Sequence, residues 1–258
     1  MSDKLALVTG SSKGIGRAIA ESLRQAGATV IIHGRSKDSI AQVAGEIGDD
    51  VRYVFGDLSD ATQAADVIQQ LAAIGKVDIL VNNVGIYEHK AFVDISDEDW
   101  LRFFEVNVMS GVRMTRALLP AMLEKNWGRV VFISSESAFN IPVDMIHYGA
   151  TKSALQGLAR GIAETTRGTG VTVNTVLPGP TMTEGSADFI GEEAKAKGIS
   201  PEQAGENFIR DNRPTSLIWR FAQVEEVASM VTYVVSPQAS ATNGTALRVD
   251  GGVVNSIM

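Results

Sequence analysis

Near its start the chain carries the sequence LALVTGSSKGIGRAIAESL, which spans residues 5–23. The first four of these residues form an apolar run that is typical of a buried parallel strand, and the last seven have the apolar spacing of a helix. Between them, Gly10, Gly14 and Gly16 form a glycine-rich turn. Such glycines let the backbone approach a pyrophosphate, and the N–H groups and positive dipole of the following helix hold the anion. The spacing departs from the usual Gly-x-Gly-x-x-Gly fingerprint, yet its place between a strand and a helix favours dinucleotide binding.

Strand-like runs recur along the chain with helical patterns between them. They lie at residues 5–8, 28–33, 51–55, 78–82, 129–134, 171–177 and 245–249. This alternation predicts an α/β fold, a single Rossmann-like doubly wound parallel sheet of about seven strands with helices on both faces. Ligands of such sheets bind outside the carboxyl ends of the strands. Five residues that directly follow strands are therefore expected to share one crevice: Gly10, Asp57, Asn83, Ser135 and Pro178.

The composition predicts one soluble enzyme domain over residues 1–258. Hydrophobic residues make up 45% and charged residues 21% of the chain, and no linker or repeat divides it. The formal net charge of -7 argues against nucleic acid or an anionic membrane surface as a partner. Without cysteine, the chain has no disulfides, thiolate nucleophile or cysteine metal site. We expect no signal peptide or transmembrane segment, and hence a cytoplasmic location.

The histidines give no sign of a metal site. His33, His89 and His147 are scattered without ligand spacing, and we expect them to be surface or loop residues. No metal ion is therefore predicted.

Tyr148 and Lys152 lie four residues apart in a helical pattern, and Ser135 ends an apolar run upstream. Because side chains at i and i+4 share one helix face, the ammonium can favour the ionised phenol. A tyrosine pKa of about 10 must fall by roughly 2 to 3 units for proton transfer near neutrality, which takes about 3 to 4 kcal/mol. A unit charge at about 4 Å with an effective dielectric near 20 supplies about 4 kcal/mol. The same pair also recurs by chance on amphipathic helices, so by itself it does not establish catalysis.

A series of short motifs resembles the short-chain dehydrogenase/reductase family from about Leu5 to Gly252. The motifs follow the order of that family: the Thr9 to Gly16 turn, Asp57-Leu58, Asn82-Asn83-Val84-Gly85, Asn107, Ser135, Tyr148-x-x-x-Lys152, Pro178-Gly179 with Thr183, and Val249-Asp250-Gly251-Gly252. Val84 stands where alanine is commoner in the family. We expect this departure only to alter packing beside the cofactor.

The resemblance implies a role for each candidate catalytic residue. Tyr148 would be the general acid/base, and Lys152 would lower its pKa and bind the nicotinamide ribose. Ser135 would donate a hydrogen bond to the substrate oxygen, with Ser134 and Ser137 as rivals that the family's offset to the tyrosine disfavours. Asn107 would hold a water molecule that links Lys152 to solvent. Without the resemblance, this asparagine would be interpreted as a helix residue with a local backbone bond.

The resemblance also implies a nicotinamide dinucleotide site. The predicted contacts come from the glycine turn, the ends of four strands and the catalytic helix: Gly10, Ser12, Lys13, Gly14, Ile15, Gly16, Arg35, Ser36, Asp57, Leu58, Asn83, Val84, Gly85, Tyr148, Lys152, Pro178, Gly179, Thr181 and Thr183. Of these, Thr183 is the first candidate for the nicotinamide carboxamide and Thr181 the second.

The end of the second strand predicts NADP(H) rather than NAD(H). NAD-specific folds usually carry an acid there that binds the adenosine ribose hydroxyls and repels a 2′-phosphate. Here Gly34 takes that place and Arg35 and Ser36 follow, while Lys13 adds a cation from the glycine turn. Arginine is well suited to a bidentate grip on phosphate. The nearest acid, Asp38, lies further along, where it could cap the next helix.

Residues 184–213 predict a substrate flap that carries two short helices. The segment is charged and lacks strand character, and Ser200, Pro201 and Gln203 have the pattern of a helix start. In the resembling family this region covers the substrate. A plain surface excursion is the alternative.

Two classes of function fit these features. The first is an NADP-dependent oxidoreductase that acts on a carbonyl/alcohol pair, with 3-oxoacyl thioesters, sugars and steroid-like compounds as open substrate classes. The second is a non-catalytic dinucleotide-binding sensor or regulator. The complete set of candidate catalytic residues favours the enzyme, since a sensor needs no proton relay. The resemblance further implies a homo-oligomer, most often a tetramer.

Overall fold

A computed structural model describes residues 1–257, in which most of the strands form one parallel sheet. In chain order the strands are β1 (Leu5–Val8), β2 (Thr29–Gly34), β3 (Arg52–Phe55), β4 (Ile79–Asn82), β5 (Gly128–Ile133), β6 (Val171–Pro178), β7 (Thr181–Met182), β8 (Ala222–Gln223) and β9 (Ala246–Val249). The seven-stranded sheet has the order β3-β2-β1-β4-β5-β6-β9, and β7 and β8 form a separate short parallel pair. The chain runs outward from β1 to β3 and then returns to β4 on the other side of β1. This reversal opens a crevice at the carboxyl ends of β1 and β4.

Helices connect the strands and cover both faces of the sheet. They are α1 (Gly14–Gln25), α2 (Lys37–Ile47), α3 (Ala61–Ile74), α4 (Asp97–Phe104), α5 (Ser110–Glu124), α6 (Ile146–Thr165), α7 (Glu184–Lys197), α8 (Pro201–Asn212) and α9 (Val224–Val234). One apolar cluster packs α1, α2 and α9 on one face, and a second packs α3, α5 and α6 on the other. Successive strand residues alternate between the clusters, so that Val8 belongs to the first and Leu7 to the second. Because both faces are covered, strands such as β4 and β6 are buried along their whole length.

The predicted fold class is confirmed, and the ends of the seven predicted strands differ from the prediction by at most one residue. Ser200 is the N-cap of α8, as predicted, and its hydroxyl accepts a hydrogen bond from the Gln203 N–H. Asp38 is not the cap of α2, because Ser36 occupies that position. Residues 184–213, here called the α7–α8 segment, pack on a small apolar cluster of their own, built around Ile190, Ile209 and Phe221. This cluster is distinct from the two that pack on the sheet.

The predicted surface position of the histidines is wrong for two of the three. His33 lies within β2 and His147 within α6, and both are buried, whereas His89 is largely exposed. His33 is buried because β2 lies between β1 and β3 in the sheet, which the local sequence does not reveal. Within residues 1–257, no helix combines the length and the apolar character needed to cross a membrane.

Candidate active site

The glycine turn between β1 and α1 has a backbone that only glycine adopts easily. Gly10 and Gly14 have φ angles of 60° and 56°. A Cβ atom at Gly16 would lie 2.4 Å from the carbonyl oxygen of Gly10. The turn is thus tight and its backbone open toward the crevice.

His33 holds this turn to the sheet. The Gly10 N–H donates to His33 Nδ1 over 3.1 Å, and His33 Nε2 lies 2.9 Å from the carbonyl oxygen of Gly56. The imidazole therefore carries its proton on Nε2 and bridges two turns. Burial lowers the pKa of His33 to about 4, so the ring is neutral near neutral pH.

Asn83 joins the glycine turn to the end of β4. Its side-chain amide donates to the carbonyl oxygens of Thr9 and Gly10 over 3.0 and 2.9 Å. The neighbouring Val84 packs against the turn, 3.2 Å from the place where a Cβ atom of Gly10 would lie. Two predicted site residues are thus parts of the frame that shapes the turn.

The residues predicted to select the cofactor lie around the ends of β2 and β3. Arg35 is exposed and lines a cavity of about 360 Å³ with Lys37, Phe55 and Gly56. Burial opposes ionisation of Asp57, but hydrogen bonds from Ser59 and the charge of Arg35 hold the pKa of Asp57 below its usual value.

The other predicted cofactor residues near the turn and the ends of β2 and β3 differ in exposure, and one of them caps a helix. Ser36 caps α2, Lys13 is exposed in the glycine turn and Ser12 is half-buried there. Leu58 is buried in the core, so its side chain is not open to a ligand.

Two adjoining cavities meet at Ser135 and Tyr148. The inner cavity has a volume of about 240 Å³, and its walls include ten of the predicted site residues: Ile15, Asn83, Gly85, Ser135, Tyr148, Lys152, Pro178, Gly179, Thr181 and Thr183. The outer cavity, of about 390 Å³, lies under the α7–α8 segment and includes Phe189, Phe208 and Arg213. Ser135 and Tyr148 belong to both linings. A molecule in either cavity can therefore contact both hydroxyl groups.

The rival serines have other partners. Ser134 donates to the carbonyl oxygen of Lys152 over 2.9 Å, and Ser137 donates to the carboxylate of Glu136. The Ser135 hydroxyl also donates to Glu136, over 3.0 Å, and it accepts a hydrogen bond from the Ser137 N–H. Sequence reasoning missed Glu136, although its carboxylate directly follows the two serines.

The predicted effect of Lys152 on Tyr148 is absent from this structure. Burial raises the pKa of Tyr148 to about 12, against a smaller lowering effect of Ser135. Lys152 Nζ donates to the carbonyl oxygen of Ile133 over 2.9 Å and lies 5.5 Å from the centre of the phenol ring. Burial also lowers the pKa of Lys152 to about 8.

Asn107 lies in a π-helical turn, Glu105–Met109, and not in a regular helix. Its Oδ1 accepts from the Ile86 N–H over 2.7 Å, and its Nδ2 donates to the Ile86 carbonyl and to Thr151 Oγ1, each over 3.0 Å. These bonds tie the loop after β4 to α6. Such single π turns occur often at functional sites.

The segment after β6 closes the inner cavity. A Cβ atom at Gly179 would lie 2.8 Å from Cα of Asp250, so the backbones approach closely there. Thr181 donates to the Gly179 carbonyl, and Thr183 caps α7. Glu184 reaches back to the glycine turn, where its carboxylate accepts from the Gly14 N–H over 3.3 Å.

Within the described residues, no cluster of three or more histidine, aspartate or glutamate side chains is arranged to hold a metal ion. The polar groups of the site are instead hydroxyls, one ammonium and one buried ion pair between Glu136 and Arg213.

Comparison with known proteins agrees with this geometry. The family model for short chain dehydrogenases matches residues 4–193. The uncharacterized oxidoreductase YvrD of Bacillus subtilis is 47% identical over 100% of this chain and 98% of its own. L-sorbose reductase from Gluconobacter frateurii, solved with NADPH and L-sorbose, superposes with a TM-score of 0.93 at 29% identity and covers 100% of this chain and 98% of its own. A 3-oxoacyl (acyl-carrier-protein) reductase from Agrobacterium tumefaciens, solved with NADP, has a TM-score of 0.88 at 32% identity over 97% and 94% of the two chains. The chain belongs to the short-chain dehydrogenase/reductase family of oxidoreductases.

Proposed function

We propose that the protein is an NADP(H)-dependent oxidoreductase that interconverts a carbonyl and an alcohol, with Tyr148 as the general acid/base. The observation that carries this proposal is the position of Tyr148 and Ser135 in the wall shared by the inner and outer cavities. A substrate in the outer cavity can there meet a cofactor in the inner one. We infer one dinucleotide-binding and catalytic domain over residues 1–258.

The glycine turn and the inner cavity together support a site for a nicotinamide dinucleotide. The positive φ angles of Gly10 and Gly14 and the missing side chain at Gly16 leave backbone N–H groups at the start of α1 open to a pyrophosphate. A Cβ atom at Gly85 would lie 3.3 Å from Lys152 Nζ, so the glycine keeps that ammonium accessible to a ribose. The bound cofactor would supply or accept the hydride.

The protein groups would handle the proton and the developing charge. With its pKa raised to about 12, Tyr148 keeps its proton near neutral pH and can donate it to the oxygen of a carbonyl substrate. Ser135 would hold that oxygen by a hydrogen bond once its hydroxyl proton turns from the Glu136 carboxylate to the substrate. In the oxidative direction Tyr148 would have to lose its proton, for which the Lys152 ammonium is the nearest cation on α6.

The preference for NADP(H) is supported by the charges at the end of β2. Arg35 and Lys37 line one cavity there, and Gly34 stands where an NAD-specific protein would carry an acid. The NADPH and NADP bound by the sorbose and 3-oxoacyl reductases point in the same direction. NAD(H) is the weaker candidate.

A turnover screen tests the function. NADPH oxidation would be followed with 3-oxoacyl thioesters, keto sugars and steroid ketones, the matched alcohols would be tested with NADP, and the Tyr148→Phe variant would serve as the control for each. We expect turnover with at least one class that the variant lacks. Tight cofactor binding without turnover of any class would favour a sensor or regulator instead.

We also propose a cytoplasmic homo-oligomer, most simply a tetramer. Leu101 and Phe104 on α4 expose 68% and 38% of their surfaces, and Val93 exposes 87% just before this helix. Such apolar surface supports a contact with a second copy of the chain. Light scattering should return a mass above 27.5 kDa at micromolar protein, and a monomer would refute the oligomer.

A further inference from the structure

A buried carboxylate lies directly beside the candidate catalytic hydroxyls. Glu136 is 2% exposed and follows Ser135 in the loop after β5. Its Oε2 accepts hydrogen bonds from Ser135 and Ser137, and its Oε1 accepts one from Arg213 Nε over 2.7 Å. Three donors on one carboxylate fix both its orientation and that of the Ser135 hydroxyl.

The cation that compensates this charge comes from the α7–α8 segment. Arg213 directly follows α8, 77 residues away along the chain, and its side chain is 18% exposed. Within residues 1–257, Arg213 is the only cationic side chain in an ion pair with Glu136. If the α7–α8 segment moved away, a buried carboxylate would lose its partner, which is unfavourable. The ion pair therefore favours a closed segment.

Several charged or titratable groups surround Tyr148. Glu136 faces it from the loop after β5, Arg213 from the end of α8, Lys152 from its own helix, and Tyr87 from the loop after β4. The exposed pair of His89 and Asp144 lies further out on the wall of the outer cavity. Of these groups, only Arg213 belongs to the α7–α8 segment.

We propose that Glu136 and Arg213 are positioning residues for proton transfer, in which Glu136 orients Ser135 and Arg213 neutralises that carboxylate beside Tyr148 when the α7–α8 segment is closed. This inference rests on the proposed function, since it assumes that Tyr148 transfers the proton. The Glu136–Arg213 ion pair would then affect proton transfer as well as the stability of the fold. The Arg213 guanidinium would thus link the closure of the α7–α8 segment to the pKa of Tyr148.

The two charges act on Tyr148 in opposite directions. After burial, the main cause of its raised pKa, the charge of Glu136 raises that pKa further, and the charge of Arg213 lowers it. Opposite charges beside one phenol act in opposite directions by Coulomb's law, so each variant has a predicted sign for the shift of the Tyr148 pKa.

The test is a titration of Tyr148 that needs no substrate. Difluorotyrosine, whose ring fluorines bring the phenol pKa closer to neutrality, would replace all 4 tyrosines, and fluorine NMR would follow each one. The Tyr148 signal is identified by its loss in Tyr148→Phe. The variants are Glu136→Gln, Arg213→Gln, Arg213→Lys and the double variant Glu136→Gln/Arg213→Gln. Arg210→Gln is the matched control, because Arg210 on α8 pairs with the exposed Glu206 instead.

We expect Arg213→Gln to raise the Tyr148 midpoint by about one pH unit and Glu136→Gln to lower it by a similar amount. The double variant and Arg213→Lys should lie near the wild type, and Arg210→Gln should not change the midpoint. The pH profile of kcat/KM should move in the same directions. Shifts of equal sign, or no shift in the folded variants, would overturn the inference. Opposite shifts with activity that survives Tyr148→Phe would instead refute the proposed function and leave the ion-pair effect standing.

Discussion

The glycine turn and the α7–α8 segment both border the site, and they are held in different ways. The turn is bonded into the sheet through Gly10, His33 and Asn83, each of which contacts neighbouring strand ends. The α7–α8 segment packs on a small cluster of its own and reaches the site through charged side chains, Glu184 at the turn and Arg213 at Glu136. We infer that the cofactor side is preformed, whereas the substrate side depends on a few polar contacts and opens more easily.

After Tyr148 itself, the largest effect is expected at Lys152, on the preformed side. Lys152→Ala removes the cation beside both Tyr148 and the inner cavity, so turnover should fall by about 100-fold or more and NADP(H) affinity should fall as well. Lys76→Ala is the control, because Lys76 forms an exposed pair with Glu124. Steady-state kinetics and a binding titration would measure the two losses. Unchanged cofactor affinity would show that Lys152 does not bind the ribose.

Acid should weaken the glycine turn through His33. Because burial lowers the folded-state pKa from 6.5 to about 4, the unfolded chain binds more protons between these values. Stability from the neutral ring is complete above pH 6.5 and is lost as the pH falls toward 4, by about 3 kcal/mol. Denaturant unfolding of the wild type and His33→Gln across this range would measure the loss. An equal loss in the variant would exclude His33 as its source.

Arg35 tests cofactor choice at the rim of the preformed side. Arg35→Ala should weaken NADP(H) binding by about 1.5 to 3 kcal/mol, the scale of a charged hydrogen bond, because the 2′-phosphate loses its partner. NAD(H), which lacks that phosphate, serves as the internal control and should change little. Isothermal titration of both cofactors measures the difference. An equal loss of affinity for NADP(H) and NAD(H) would mean that Arg35 does not bind the 2′-phosphate, and the preference for NADP(H) would be withdrawn.

The smallest effect is expected where the two regions touch. The Glu184 carboxylate accepts a hydrogen bond from the Gly14 N–H. A bound pyrophosphate would compete for the same donor. Glu184→Gln should therefore tighten NADP(H) binding by a few-fold, about 1 kcal/mol or less. Glu192→Gln removes a charge from an exposed position on the same helix and should not change the affinity. Weaker binding in Glu184→Gln would mean that the carboxylate assists the cofactor.

The two regions also differ in how far the sequence predicts them. The strand, turn and helix of residues 5–25 are adjacent in the chain, so composition and spacing suffice to predict them. The crevice follows from parallel strands, whose carboxyl ends share one edge. The role of His33 did not follow, because its burial depends on β1 and β3 packing beside β2.

The contacts of the α7–α8 segment with the rest of the site could not be predicted either, because they also depend on residues that are distant in the sequence. Its helix start at Ser200 could be predicted from capping chemistry. The ion pair of Arg213 with Glu136 could not, since 77 residues separate its partners and surface arginines are common. Helical spacing fixes the face of Lys152 but not the direction of its ammonium, which donates a hydrogen bond to the carbonyl oxygen of Ile133.

The most direct test of the central claim compares turnover and NADP(H) binding in the wild type and Tyr148→Phe. The substitution removes only the hydroxyl that lies between the two cavities. We predict that turnover of a substrate found by the screen falls by about 100- to 10,000-fold, the usual contribution of a general acid/base, while cofactor affinity is retained. Turnover near the wild-type rate in Tyr148→Phe would contradict the claim that this tyrosine transfers the proton.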